Sequence, residues 1–220
     1  MFRGYARVSR VHSARCRKAT RCRDVRLPAA RRGNMDAMSQ DERWPADAVF
    51  TVGHSTRPLP EFTALLHAYG IARLVDIRTV PRSRHNPQFN AEALAASLPA
   101  AGIEYVPMRA LGGLRHASKD SANTGWRNAS FRGYADYMQT PAFDAAVDAL
   151  IALARTRRVA LMCAEAVPWR CHRSLVADAL NARNVPVVEI LSAAKHRMHT
   201  LTPFARVDGT RVTYPAPPVP

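Results

Sequence analysis

Between Cys163 and Ser174 the chain reads CAEAVPWRCHRS: two thiols, a carboxylate, an imidazole and two guanidiniums in twelve residues. Cys163 and Glu165 close an apolar run, VALMCAE, that reads as a strand. Cys171-His172-Arg173-Ser174 then opens a segment with helical spacing, CHRSLVADALNARN. A helix start carries unpaired N–H groups and a partial positive charge. Arg170 and Arg173 add full charges, a combination that suits a phosphate or carboxylate ligand. The same field predicts that Cys171 is the more acidic of the two thiols. The plainer reading is a buried Cys171 with Arg173 paired to a nearby acid.

Two more specific chemistries fit less well. A cysteine phosphatase or sulfurtransferase loop places five residues between its nucleophile and an Arg at the helix start. From Cys163 to Arg170 there are six, among them the bulky Glu165, Pro168 and Trp169. A structural zinc site needs about four ligands with close paired spacing, and Cys-x7-Cys-His lacks that spacing. The expectation is therefore no metal and no cofactor.

Other segments can supply the walls of such a site. His54 and Ser55 end the first apolar run, AVFTVGHS, and His54 can serve as a general base or an anion contact. Asp76 and Arg78 alternate at the end of IARLVDIR and so share one face of a sheet, where a local ion pair is the bland account. Arg82, Arg84 and His85 form a basic loop beyond them. Tyr134 and Tyr137 lie three apart on one helix and suit a core better than a stacking platform. Gly112-Gly113 suits a turn or a close approach.

The elements that position these residues follow in regular order. PLPEFTALLHAYG has helical spacing with Pro58 near its start and Gly70 at its end. A second helix follows Asn90, an expected N-cap. IEYVPM is a third strand, and a long polar loop from Arg109 to Ser130 reads as functional or lid-like. FRGYADYMQ and PAFDAAVDALIALARTR form two helices divided at Thr140-Pro141. VPVVEIL is a fifth strand, and a hairpin closes at Asp208-Gly209. Alternating strands and helices imply a single doubly wound, Rossmann-like α/β fold, with a mostly parallel sheet, helices on both faces and a C-terminal hairpin. The expected division is a disordered basic tail over 1–45, the α/β domain over 46–204, and the hairpin strand with a disordered Pro-rich end over 205–220. Ligands in such sheets sit beyond the strand C-termini at the switch in strand order. If strand one neighbours strand four, the loops 53–57 and 163–173 meet.

Several of these segments together resemble one family. TVGHSTRPLPEF, LVDIRTVPRSRHNPQFN, YVPMRALGG, FRGYADYM and LMCAEAVPWRCHRSLVADAL, in this order, are similar to the domain of unknown function 488 family from about Phe50 to about Leu191. The resemblance implies the fold and the motif positions, and no reaction. Those positions are Gly53, His54, Ser55, Asp76, Arg78, Pro81, Arg82, Leu111, Gly112, Gly113 and Tyr134, then Cys163, Glu165, Cys171, His172 and Arg173.

Bulk properties bound the function class. The net charge of +15 is uneven. Residues 1–33 hold eleven Lys or Arg and one acid, Asp24; the remaining twenty-one bases and sixteen acids leave +5. The tail has no helical or strand period. It reads as a nucleic-acid arm, an organelle transit peptide, or translated sequence upstream of a start at Met35 or Met38. Four cysteines are too few for a disulfide scaffold, which points to a reducing cytoplasm. No membrane partner is expected, and the oligomeric state is left open. Two function classes stand side by side. One is an enzyme or enzyme-like domain for a small anionic, phosphate- or nucleotide-containing ligand. There His54, Glu165 and Cys171 are catalytic, and Ser55, Arg78, Arg82, His172 and Arg173 hold the ligand. The other is a nucleic-acid-binding module without catalysis.

Overall fold

The computed structural model describes residues 44–216. The basic tail over 1–43 and the end of the Pro-rich terminus over 217–220, with the readings attached to them, lie outside the described residues.

Four strands form the sheet interior: β1 (Val49–Gly53), β2 (Arg73–Asp76), β4 (Val159–Cys163) and β5 (Val187–Ile190), each buried along its length and apolar but for Thr51, Arg73, Asp76 and Glu189. Runs of this kind suit parallel strands covered on both faces. With β3 (Glu104–Pro107) and β6 (His196–Met198) they make a six-stranded sheet in the order β3-β2-β4-β1-β5-β6. All neighbours are parallel except β5 and β6. The short polar β6 was not legible as a strand. β7 (Arg206–Asp208) and β8 (Arg211–Thr213) form the expected hairpin as a separate ribbon.

The helices fall where the punctuation places them. α1 (Leu59–Ala68) stops before Gly70, whose φ of 63° is the left-handed conformation that a helix end favours. α2 spans Ala91–Ser97, α3 Ala129–Tyr137 and α4 Pro141–Ala154. Asn90 is the N-cap position of α2, but its side chain accepts from the Ser83 amide (2.7 Å) instead of from the helix. Thr140 caps α4 through Phe143 N, and Pro141 occupies the first turn. α5 (Arg173–Asn181) is almost wholly buried.

Alternation along the strands divides the core in two. Phe50, Val52, Leu74, Met162 and Val188 pack with Phe62 and Leu66 of α1 and Leu94 of α2. Val49, Val75, Leu161, Cys163 and Val187 pack with residues of α3, α4 and α5. The helices thus cover both faces. β1 and β4 are adjacent, yet the chain leaves β1 for the face of α1 and leaves β4 for the face of α5. A crevice at the ends of these two strands is the geometric consequence. Among the described residues no helix is long and apolar enough to cross a membrane.

Candidate active site

Strand register brings the sequence motifs together. Gly53 pairs with Cys163, and Asp76 pairs with Met162. The amides of His54 and Ser55 donate to the carbonyls of Cys163 and Ala164 at 3.0 Å, and Ile77 N donates to Met162 O at 3.1 Å. Gly53 permits this: a Cβ there would lie 2.0 Å from the Glu165 carbonyl. Ser55 sits at a φ of 52°, uncommon for a residue with a side chain.

Two clefts of about 410 Å³ each open at this edge. They share Arg78, Val80, Ala164 and Glu165 as walls. One contains Cys163, Cys171, His172 and Arg170 under a rim of Val80, Leu114 and Phe131. The other contains His54, Ser55, Arg82 and Asn86. Glu165 is the only carboxylate among the lining residues, beside Arg170 in one cleft, Arg82 in the other and the Asp76-paired Arg78 in both.

The expected site residues divide by what their polar atoms already do. His54 is buried and stacked on Phe89 at 4.1 Å. Its Nδ1 lies 2.7 Å from Ser55 O and its Nε2 3.2 Å from an Arg78 guanidinium nitrogen, so both ring nitrogens are occupied. Burial, with the Arg78 charge as a lesser cause, holds it below the usual histidine range. Arg78 is clamped by Asp76 (2.8 and 2.6 Å) and by Phe89 O (2.7 Å). Tyr105 donates to the same carboxylate at 2.8 Å. The Asp76–Arg78 pair is the local ion pair that alternation along β2 suggested, and it leaves Arg78 a wall of fixed shape. Arg82 is exposed, with only a 3.4 Å contact to an equally exposed Glu92.

Arg173 is placed differently from the expectation. It is fully buried and lines neither cleft. Its guanidinium donates to the backbone carbonyls of Glu165 and of Ala166 (2.8 Å), which ties the loop after β4 to the start of α5. A side chain committed to two carbonyls from behind the loop shapes the site instead of reaching a ligand. Its neighbour Arg170 is exposed and does line the cysteine cleft.

Cys163, Cys171 and His172 form the chemical centre. One donor atom from each lies within 4.8 Å of the others. Both thiols are free and buried, Cys163 being 9% exposed and Cys171 4%. His172 Nδ1 lies 3.7 Å from Cys171 Sγ, and its Nε2 is buried without a hydrogen-bond partner. Gly113 lets the long loop lie against this ring, since a Cβ there would be 2.4 Å from Nδ1. The glycine thus serves a close approach.

The acidity order predicted from the helix start is reversed. The Cys171 S–H donates to the Cys163 sulfur, and this is the main reason that Cys163 falls well below the ordinary thiol range; His172 lowers it further against the opposing effect of burial. Cys171 is pushed up, first by that same hydrogen bond and then by burial. Arg173 and the α5 amide do pull Cys171 down, as helix-start reasoning requires, but they are outweighed. The two thiols influence each other, with Cys163 shifted toward its charged form and Cys171 away from it. These atoms also include the donor types that a soft metal ion takes. Among the described residues no fourth histidine, cysteine or carboxylate joins the three.

Comparison with known proteins agrees with this assembly of motifs. Residues 58–180 match the family model described as domain of unknown function DUF488. The chain belongs to that family. The matched span begins after the Gly53-His54-Ser55 loop and ends within α5, so it includes the whole Cys163–Arg173 segment. No curated protein matches the chain, and no solved structure matches it.

Proposed function

We propose that this domain is an enzyme that uses the Cys163 thiolate as a nucleophile on a small anionic substrate. One observation carries the reading. The Cys163 thiol, shifted toward its charged form beside Cys171 and His172, stands at the C-terminal end of β4, in a cleft that the exposed Arg170 also lines. A thiolate is the reactive form of cysteine, and a depressed pKa makes it abundant at neutral pH. Strand C-termini at a switch point are where this fold class binds its ligands. Arg170 and Arg82, both exposed and neither clamped by a buried acid, attract and orient the anion. Arg78 and His54 build the wall between the two lobes, and Glu165 and His172 are the groups able to move protons.

Two alkylating agents of similar shape test this. The protein is prepared with Cys16→Ser and Cys22→Ser, and modification of Cys163 is followed by peptide mass spectrometry with iodoacetate and with iodoacetamide. Relative to free cysteine, Cys163 should favour the anionic reagent severalfold and remain reactive at pH 6. Arg170→Ala should reduce that preference. Reaction at Cys163 only above pH 8, without preference for iodoacetate, would reject the reading.

A further inference from the structure

A nucleophile that transfers an acyl or phosphoryl group needs a base and an oxyanion site beside it. Here a second thiol, delivered from the other end of a short loop, stands within 4.8 Å of Cys163. We propose that Cys171 is the resolving thiol of Cys163 and that the site carries out thiol–disulfide exchange on a small anionic disulfide. The inference rests on the reading of Cys163 as the nucleophile and adds the reaction and the substrate class.

Three observations support it. The Sγ atoms of Cys163 and Cys171 lie within 4.8 Å, neither is bridged, and rotation of the side chains closes such a gap toward a bond of about 2.05 Å. Both thiols line the same cleft, Cys163 from the end of β4 and Cys171 from the start of the turn into α5. His172 Nδ1 stands against Cys171 Sγ, where it can accept the proton that Cys171 must lose. The cleft fits the substrate class. Arg170 answers a carboxylate, and the rim residues Val80 and Leu114, 60% and 72% exposed, offer apolar contact to the rest of the molecule.

The steps balance. The Cys163 thiolate attacks one sulfur of R–S–S–R, a Cys163–S–S–R bond forms, and one RS⁻ leaves. Cys163 has then lost its charge and no longer accepts from Cys171, so the main influence holding the proton on Cys171 is gone. Cys171 passes its proton to His172 and attacks the Cys163 sulfur. The Cys163–Cys171 bond forms and the second RS⁻ leaves, taking up the proton. Two electrons have passed from the protein dithiol to the substrate. A small dithiol reductant returns the protein to its starting state.

The probe is 5,5′-dithiobis(2-nitrobenzoate), an anionic aromatic disulfide, used on the full chain carrying Cys16→Ser and Cys22→Ser. The proposal expects two equivalents of thionitrobenzoate per chain and an intact mass lowered by two hydrogens with no adduct. Adding Cys171→Ser should give one equivalent and a retained adduct. Adding Cys163→Ser should slow release at least about tenfold. The parent protein decides the matter even if a variant folds poorly. One equivalent with a retained adduct, or adducts on both thiols, overturns the exchange proposal while Cys163 stands as nucleophile. Unchanged release from the Cys163→Ser protein overturns the nucleophile itself. Parent protein that carries one zinc per chain and releases thionitrobenzoate only after chelation overturns the exchange proposal in favour of a metal centre.

Discussion

The guanidinium of Arg173 holds the backbone carbonyls of Glu165 and Ala166, so the first residue of α5 fixes the loop that follows β4. Cys163 lies at one end of that loop and Cys171 at the other. The distance between the thiols is therefore set by a side chain that touches neither cleft. Charge-assisted hydrogen bonds contribute roughly 1.5–3 kcal/mol each, and lysine cannot reproduce the planar fork. Arg173→Lys should destabilise the domain by about 2–4 kcal/mol and lower its thermal midpoint by several degrees. Phosphate or sulfate should shift the midpoint of the variant as much as that of the wild type. An unchanged midpoint with loss of the anion response would return Arg173 to a ligand-binding role.

Cys171 should control the acidity of Cys163. In Cys171→Ala the S–H donor is gone and burial of Cys163 acts with less opposition, so its pKa should rise toward the ordinary thiol value of about 8.5. Alkylation of Cys163 at pH 6 should slow by about tenfold or more, with little change at pH 9.5. Equal rates at pH 6 would show that His172 and the loop amides suffice.

Gly113 offers a subtler perturbation, because it lies outside the thiol pair. A Cβ at 113 meets the His172 ring at 2.4 Å, so the ring or the loop must move. Overpacking of this kind costs about 1–3 kcal/mol. Gly113→Ala should keep the fold, displace His172 from Cys171, and slow the second, resolving step with 5,5′-dithiobis(2-nitrobenzoate) more than the first. Slowing of both steps alike would indicate a blocked cleft instead.

Much of the fold was legible because buried parallel strands read as unbroken apolar runs and because Gly70, Asn90 and Pro141 mark helix ends in the sequence. The neighbouring of β1 and β4 followed from a general habit of doubly wound sheets, and it brought His54, Cys163 and Glu165 to one edge. β6 was missed because His196–Met198 is three residues of mostly polar edge strand, with no period to detect. Arg173 was misplaced for a different reason. Spacing puts it at a helix start but does not say which way its side chain runs, and here it runs back beneath the loop. The acidity order failed similarly. Cys171 does precede α5, yet its backbone is extended (φ −133°) and its thiol serves as donor to a sulfur eight residues earlier. The exposed Arg170, and not Arg173, lines the cleft that holds the two thiols.

A last test concerns how α5 is anchored, since that helix carries the site's second half. His199 lies between Asp178 of α5 and Glu189 of β5, with both ring nitrogens at 2.8 Å from carboxylate oxygens. Thr202 and Tyr214 donate to Asp178, and Arg197 pairs with Glu189. Burial opposes a charge on the ring, but the hydrogen bonds and charges of the two acids prevail and raise His199 to about 9. Its unfolded value is about 6.5. The folded state then binds the proton more tightly, so the stabilisation is complete below about pH 6.5 and is lost as pH rises toward 9. A shift of this size corresponds to about 3 kcal/mol at most. Tyr214 is held well above its ordinary range by burial and Asp178, so it does not titrate in this window. Other groups, the thiols among them, add their own pH dependence, and the comparison with His199→Gln removes it. The stability difference between wild type and His199→Gln, from denaturant midpoints at pH 6, 7.5 and 9, should shrink steadily with pH. A difference that stays constant across that range would mean that His199 is neutral in the fold.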